Sequence, residues 1–300
     1  MQITNAAWVM LFTLSVLWGG SFFFVEVAVA ELPPLVVVWV RVALAALALL
    51  VFLRLTGRAM PWTREAWIAF LVMGLLNNAI PFTLITWGQT EIESGLASIL
   101  NAMTPVSAVL LAHFFTQDEK LTGARALGVG LGILGVTVLI GLDALSGIGV
   151  AILGQLAVVA ATISYGFSSL WGRRFRVMGI DPVITATGQV MSSTVLMFPL
   201  LLWSAPWALP VPSVETVLSL LGLAVFATSL AYILFYRILA IAGAGNVMLV
   251  TLLIPPSAIL LGWLFLGERL AAQHFLGFAI IGLGLLCLDG RIIARIRAAV

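Results

Sequence analysis

Charge is scarce in this chain. Lys and Arg number 14 and Asp and Glu number 12 in 300 residues, so charged residues make up only 9%. An ordinary soluble domain carries roughly 25% charged residues. The chain has a single cysteine, Cys287, which excludes an internal disulfide. Hydrophobic residues make up 62% and the mean hydropathy is +1.19. This composition excludes a soluble globular domain and indicates a membrane protein.

The chain also lacks the motifs of enzyme and cofactor sites. It contains no HExxH metal motif, no phosphate-binding glycine loop and no GxSxG serine motif. No acidic residue lies near the middle of an apolar stretch, where a proton relay would be expected. We therefore expect no enzymatic activity, no metal and no cofactor. Membrane topology accounts for the arginines, so we also expect no nucleic-acid partner.

Ten apolar stretches of roughly 20 residues can be drawn along the chain, and a helix needs about that length to cross a membrane. Prolines and charged residues separate them. No basic residue precedes the first stretch, so we expect it to be retained as a helix and not cleaved as a signal peptide. The sequence thus predicts an all-α polytopic membrane protein with ten transmembrane helices, at 6–29, 34–54, 66–88, 94–116, 122–142, 149–171, 181–203, 214–236, 244–266 and 272–290.

The second half of the chain repeats the first. Thr104-Pro105-Val106-Ser107-Ala108 corresponds to Ile254-Pro255-Pro256-Ser257-Ala258, and Trp18-Gly19-Gly20-Ser21 corresponds to Tyr165-Gly166-Phe167-Ser168. Each copy holds an odd number of stretches, so the two copies must enter the membrane in opposite directions. We predict two inverted five-helix repeats, 1–145 and 146–300, which together form one transport unit.

The basic residues indicate the orientation. If the N-terminus is cytoplasmic, twelve of the 14 Lys and Arg residues fall on the cytoplasmic side, among them Arg54, Arg174 and Arg291. Arg269 falls outside, and Arg41 falls within a stretch. Short loops rich in Lys and Arg stay cytoplasmic. We therefore expect a multi-pass protein of the plasma (inner) membrane with both termini in the cytoplasm.

Polar side chains within the apolar stretches mark a candidate substrate site, because each one is costly in hydrocarbon. Asparagines, hydroxyls and aromatic rings recur at matching places in both halves. Such polar groups can also hold helices together, and such rings can face lipid. Their recurrence favours a set that lines a substrate cavity, and this set comprises Trp18, Ser21, Asn77, Asn78, Phe82, Asn101, Tyr165, Ser168, Thr228, Tyr232 and Asn246.

Two prolines in the middle of stretches are candidate hinges. Pro105 and Pro255 occupy matching places in the two copies. Proline removes a backbone donor and frees a carbonyl one turn earlier, so a helix bends there. A kinked helix can then offer backbone groups as well as side chains to a ligand.

Arg41 is the one basic residue inside a stretch, and Glu26 lies at a similar depth across the Pro33-Pro34 connection. We expect a structural ion pair between Glu26 and Arg41. Two alternatives stay open. Arg41 could bind a substrate carboxylate, because the guanidinium group suits bidentate carboxylate contacts, or it could extend to the outer interface.

These residues carry a resemblance to a known family. Trp18-Gly19-Gly20-Ser21-Phe22, Pro33-Pro34 and Arg41 resemble the opening signature of the EamA family, within the drug/metabolite transporter superfamily. Pro105 with Glu119-Lys120-Leu121, repeated as Pro255 with Gly267-Glu268-Arg269-Leu270, resembles the same family. The second copy departs from the first at one position: counting from Pro34 and Pro182, it has Gln189 where the first has Arg41.

The resemblance implies a plasma-membrane carrier, similar to the bacterial ten-span exporters of aromatic amino acids. We expect export of aromatic or other neutral amino acids and related small metabolites by alternating access, with a small-molecule substrate and membrane lipid as partners. The alternative is a broad-specificity drug or metabolite efflux carrier. An intramembrane enzyme or a channel fits less well, because the stretches lack converging titratable groups and a continuous polar stripe.

Overall fold

A computed structural model describes residues 5–117, 119–141, 149–242, 247 and 250–289 of the chain. The described residues form helices joined by short turns, without a β-strand. Eight helices are long and apolar enough to cross a membrane, which confirms the predicted all-α membrane class: α1 (Asn5–Val29), α2 (Pro34–Leu55), α3 (Arg64–Gly88), α4 (Ser94–Phe115), α5 (Gly123–Ile140), α6 (Val150–Val177), α7 (Pro182–Trp203) and α8 (Val214–Ile241). Two shorter apolar helices follow, α9 (Val250–Leu266) and α10 (Ala272–Leu288).

The helix starts follow from local sequence. Proline occupies the first position of α2 and of α7, where its missing N–H costs nothing and its fixed φ suits the helix. The side chain of Asp181 also caps α7 by accepting from the backbone N–H of Val183 at 2.8 Å. Thr63 and Ser213 cap α3 and α8 in the same way. These caps satisfy backbone donors that hydrocarbon would leave unpaired.

The first turn of α4 is capped by a residue from far along the chain. The carboxylate of Glu268, between α9 and α10, accepts from the backbone N–H of Ser94 at 2.9 Å and of Gly95 at 3.0 Å. A Cβ on Gly262 would collide with this carboxylate, so glycine makes room for it. Burial raises the pKa of the nearby Glu93, and the negative charge of Glu268 raises it further. This cap joins the second half of the chain to the first.

Three helices carry wide π-helical turns: α3 at Leu75–Ala79, α8 at Gly222–Leu230 and α9 at Gly262–Leu266. Helix α4 is interrupted at Ala102 and Met103, just before Pro105. Pro105 cannot donate to the carbonyl of Asn101, and the hydroxyl of Thr104 donates to that oxygen instead at 2.8 Å. Irregular turns of this kind are frequent at functional sites.

Two helix pairs pack antiparallel. A Cβ on Gly128 of α5 would lie 2.6 Å from the carbonyl oxygen of Gly284 of α10, and one on Gly135 would lie 2.9 Å from that of Gly277. Positions later along α5 therefore contact positions earlier along α10, so the two helices run in opposite directions. In the second pair, Trp39 of α2 donates to the carbonyl of Thr194 of α7 at 3.1 Å, whereas the later Ala46 shares a buried cluster with the earlier Ala186 and Val190.

One helix of each half packs on a helix of the other half. Helix α1 packs on α9, and Ser257 of α9 donates to the carbonyl of Ser15 at 2.8 Å. Helix α6 packs on α4, and the hydroxyls of Ser107 and Thr162 lie 2.7 Å apart. Gly19 and Gly166 allow the two close approaches, to Ser257 and to Ser107 respectively. The matching Trp18-Gly19 and Tyr165-Gly166 positions of the sequence thus make equivalent contacts.

We predict that Gly19→Ala destabilises the protein by about 1–3 kcal/mol, the usual cost of forcing extra atoms into a packed interior. A Cβ at this position would lie 2.9 Å from the backbone nitrogen of Ala258, which cannot turn away. The melting temperature in detergent should fall. The neighbouring Gly20→Ala is the matched control, because its Cβ would lie 3.7 Å from the nearest atom, on Phe24. Equal melting temperatures for the two variants would contradict the close packing of α1 on α9.

Candidate functional site

Two adjacent asparagines of α3 form the centre of a buried polar cluster. Asn78 is fully buried, and its Nδ2 donates to the hydroxyl of Tyr232 at 2.8 Å. Nδ2 of Asn77 lies 3.3 Å from the same hydroxyl and 3.3 Å from Oε1 of Gln189, and it donates to both. Oδ1 of Asn77 accepts from the hydroxyl of Ser168 at 2.9 Å. Helices α3, α6, α7 and α8 therefore meet at these two amides.

The π-helical turn at Leu75–Ala79 explains why α3 can hold two polar residues here. A wide turn leaves carbonyl groups without their usual partners in the helix. The hydroxyl of Ser164 donates to the carbonyl of Leu76 at 2.7 Å, and that of Ser193 donates to the carbonyl of Gly74 at 3.0 Å. Hydroxyls of α6 and α7 thus stabilise the turn from both sides.

Arg41 of α2 completes the cluster. It is only 7% exposed. Its Nε donates to the hydroxyl of Thr228 at 2.9 Å, and its guanidinium carbon lies 3.7 Å from the ring centroid of Phe82. Thr228 in turn donates to the carbonyl of Leu223 at 2.7 Å, within the π-helical turn of α8. The wide turn of the second half therefore anchors the arginine of the first half.

Some buried polar atoms at and near this cluster have no hydrogen-bond partner within the described part of the chain. They include Oδ1 of Asn78 and Nε2 of Gln189. Buried polar atoms are nearly always hydrogen-bonded in native proteins, so an unpaired one indicates a strained site or a missing partner. Here an unpaired acceptor and an unpaired donor belong to the same hydrogen-bonded group of side chains.

The structure brings together six of the predicted site residues, together with Arg41. These six are Asn77, Asn78, Phe82, Ser168, Thr228 and Tyr232. Tyr165 packs against the buried group that includes Phe82. Trp18 packs against the buried group that includes Tyr232, and its ring lies 5.6 Å from that of Phe235.

Three predicted site residues are placed differently. Ser21 is buried on α1, but no hydrogen bond links it to the cluster in the portion of the chain described above. Oδ1 of Asn101 is buried on α4 and accepts no hydrogen bond from any residue in the described ranges. Asn246 lies outside the described residues. Of the two candidate hinges, Pro105 follows the interruption of α4, whereas Pro255 lies within a continuous α-helical segment, Val250–Leu261.

The predicted ion pair between Glu26 and Arg41 is wrong. Glu26 accepts from Nε2 of Gln89 at 2.9 Å, and Gln89 also donates to the carbonyl of Phe22 at 2.9 Å. Arg41 contacts Thr228 and Phe82 instead. Equal depth did not bring the two charges together, because Glu26 faces Gln89 at the end of α3, whereas Arg41 faces Thr228 of α8.

Gln189 is a member of the cluster that was not among the predicted site residues. It is fully buried, and its Oε1 accepts from Asn77 at 3.3 Å. The signal was present, because Gln189 occupies the place in the second copy that Arg41 occupies in the first. The two equivalent positions of the repeat therefore contribute to one cluster.

The cluster offers amide, hydroxyl, guanidinium and aromatic groups. No group of three or more His, Cys, Asp or Glu side chains that could hold a metal occurs in the described ranges. Two cavities lie elsewhere. One of about 260 Å³ is lined by residues that include Trp263, Glu268 and Phe275, and one of about 330 Å³ by residues that include Phe115, Trp171 and Arg173.

Comparison with known proteins identifies the family. The model of the EamA-like transporter family matches this chain twice, over residues 6–141 and 152–288. The chain is 25% identical over 279 residues to the "Uncharacterized transporter YoaV" of Bacillus subtilis (strain 168), covering 92% of this chain and 94% of YoaV. It is 27% identical over 278 residues to a "Probable amino-acid metabolite efflux pump" of Escherichia coli (strain K12), covering 90% of each chain.

Two further likenesses agree with this result. The chain is 28% identical over 276 residues to the "Uncharacterized inner membrane transporter YedA" of Escherichia coli (strain K12), covering 90% of this chain and 86% of YedA. A solved structure described as "Crystal structure of protein" has the same fold, with a TM-score of 0.65 at 18% identity over 94% of this chain and 97% of that one. Because the family model matches both halves and the described residues form apolar helices, the chain belongs to the EamA-like transporter family and is a membrane transporter.

Proposed function

We propose that this transporter exports neutral amino acids, aromatic ones included, and related small metabolites across the plasma (inner) membrane. The observation that carries the proposal is the buried polar cluster at the junction of the two halves. The first half contributes Arg41, Asn77, Asn78 and Phe82, and the second contributes Ser168, Gln189, Thr228 and Tyr232. A site between repeats can be exposed to each side in turn when one repeat moves against the other.

We further propose that the chain crosses the membrane ten times, as two inverted five-helix repeats divided near residue 145, a position outside the described residues. Helices α5 and α10 are the last of each copy, and they pack antiparallel. Helices α2 and α7 are the second of each copy, and they also run antiparallel. Equivalent helices that run in opposite directions support inverted copies.

The chemistry of the cluster supports a zwitterionic substrate with an apolar side chain. Amides and hydroxyls can bind an ammonium and a carboxylate group, and the rings of Phe82, Tyr165 and Trp18 can contact a flat or apolar side chain. The single arginine of the cluster supplies too little positive charge to favour a polyanionic substrate such as a nucleotide. The efflux pump of Escherichia coli named above, a relative with amino-acid metabolites in its name, supports the same class.

The export of amino acids is tested by counterflow. Proteoliposomes containing purified protein and preloaded with unlabelled phenylalanine should accumulate labelled phenylalanine transiently above equilibrium, because a carrier exchanges its substrate. Uptake should saturate, and other neutral amino acids should compete. A flux that rises linearly without saturation would indicate a channel, and a strict preference for phosphorylated compounds would contradict the proposed substrate class.

Asn101 gives a test of the extent of the site. Its side chain makes no hydrogen bond within the described part of α4 and its neighbours, so Asn101→Ala should leave the melting temperature unchanged. If the residue lines the substrate path, transport should fall about tenfold, the usual effect of one lost hydrogen bond to substrate. Asn78→Ala is the comparison, because it breaks the 2.8 Å bond to Tyr232 and should lower both transport and the melting temperature. Unchanged transport in Asn101→Ala would remove this residue from the site.

The proposed orientation places both termini and the α6–α7 connection in the cytoplasm, with the α7–α8 connection outside. In a Cys287→Ser background, Arg174→Cys should react in intact cells only with a membrane-permeant thiol reagent. Val211→Cys, at a position that is 95% exposed, is the control and should also react with an impermeant reagent. The reverse labelling pattern would invert the topology.

A further inference from the structure

Arg41 is a buried cation, and the residues that the structure describes supply it no counter-ion. It is 7% exposed, and no salt bridge joins it to an acidic side chain anywhere in the described residues. Its one hydrogen bond there runs from Nε to the neutral hydroxyl of Thr228. The two terminal nitrogens of the guanidinium group therefore have no hydrogen-bond partner in the same set of residues.

Burying the guanidinium group in this way is costly unless a negatively charged group binds to it. A charged side chain in the membrane interior loses its hydration, and such residues usually pair with an opposite charge or mark a substrate pathway. The ring of Phe82, 3.7 Å from the guanidinium carbon, offsets part of the cost through a cation–π contact. It also holds the flat face of the guanidinium group, so the edge with the terminal nitrogens stays available for a planar acceptor.

The unpaired atoms nearby complete a complementary set. Gln189 presents a buried donor, Nε2, and Asn78 presents a buried acceptor, Oδ1, and neither has a hydrogen-bond partner among the residues that the structure describes. Both side chains belong to the hydrogen-bonded group around Asn77 and Tyr232. A carboxylate would satisfy the guanidinium nitrogens and the amide donor, and an ammonium group would satisfy the amide acceptor.

We propose that Arg41 binds the carboxylate of the transported substrate, that Gln189 donates to the same carboxylate, and that Asn78 accepts from the substrate's ammonium group. This proposal rests on the proposed function and narrows it. The site takes amino acids with a free carboxylate and rejects the matching amides and amines. Because Arg41 and Gln189 are equivalent positions of the two copies, each half of the transporter holds one side of the carboxylate.

The experiment compares ligands that differ only at the carboxyl group. Phenylalanine and phenylalaninamide are tested against wild-type protein, Arg41→Gln and Arg41→Lys, by the ligand-induced rise in melting temperature in detergent and by competition for uptake in proteoliposomes. The wild type should prefer the acid by about 10- to 100-fold, which corresponds to the loss of one charge-assisted interaction. In Arg41→Gln the preference should vanish through weaker binding of the acid, and Arg41→Lys should restore it in part.

The ratio of the affinity for the acid to the affinity for the amide, measured within each variant, separates an effect on binding from an effect on folding. Loss of a merely structural arginine would weaken the binding of both ligands alike. If Arg41→Gln does not fold, Thr228→Val serves in its place. It keeps the charge but removes the 2.9 Å anchor of Nε, and it should lower the ratio several-fold. A ratio unchanged from the wild type in whichever of these variants folds would overturn the role of Arg41.

A second ligand pair separates this proposal from the proposed function. Phenylpropionate and its amide carry the carboxyl difference without the ammonium group. If the wild type binds phenylpropionate in an Arg41-dependent way but not phenylalanine, amino-acid export is overturned and the carboxylate site stands. If it binds phenylalanine with the same ratio in every variant, export stands and the carboxylate site is overturned. Binding of neither acid would overturn both.

Discussion

The structure depends on one constraint: a polar group inside a membrane needs a partner, and water is not there to supply it. Asn78, Gln189, Ser168, Tyr232 and Arg41 come from five different helices. The first four are linked by hydrogen bonds that pass through Asn77 or Tyr232, and Arg41 donates to Thr228. None could be buried alone at an acceptable cost. The cluster therefore joins the two halves. In the proposed function it binds the substrate, and its polar atoms without a partner among the described residues select the chemistry of that substrate.

Departures from regular helix geometry position these groups. The π-helical turns of α3 and α8 contain Asn78 and Thr228, which are counterparts in the two halves. In each turn, a hydroxyl group donates to a carbonyl that would accept from a backbone N–H in a regular helix. The interruption before Pro105 frees the carbonyl of Asn101 in the same way, and Thr104 satisfies it. Backbone irregularity at membrane depth is tolerated when neighbouring protein groups satisfy it.

Much of this arrangement follows from the sequence, and the exceptions have physical reasons. Helix positions follow from apolar stretches bounded by prolines, and matching polar and aromatic residues in both halves led to six members of the cluster. The Glu26–Arg41 pairing failed because depth along a helix does not fix the direction that a side chain faces. That direction depends on which helices pack together, as Gln89 beside Glu26 and Thr228 beside Arg41 illustrate. The π-helical turn of α3 leaves no clear mark in the sequence, because hydroxyls of α6 and α7 satisfy its carbonyls.

The central claim is that one substrate is held by both halves at the buried cluster. An experimental structure of the protein with phenylalanine bound tests it most directly. The account predicts density for the ligand among α2, α3, α7 and α8, with its carboxylate within hydrogen-bond distance of Arg41 and Gln189 and its ammonium group beside Asn78. Density in the separate cavity lined by Phe115, Trp171 and Arg173, with the cluster unchanged and unoccupied, would contradict it.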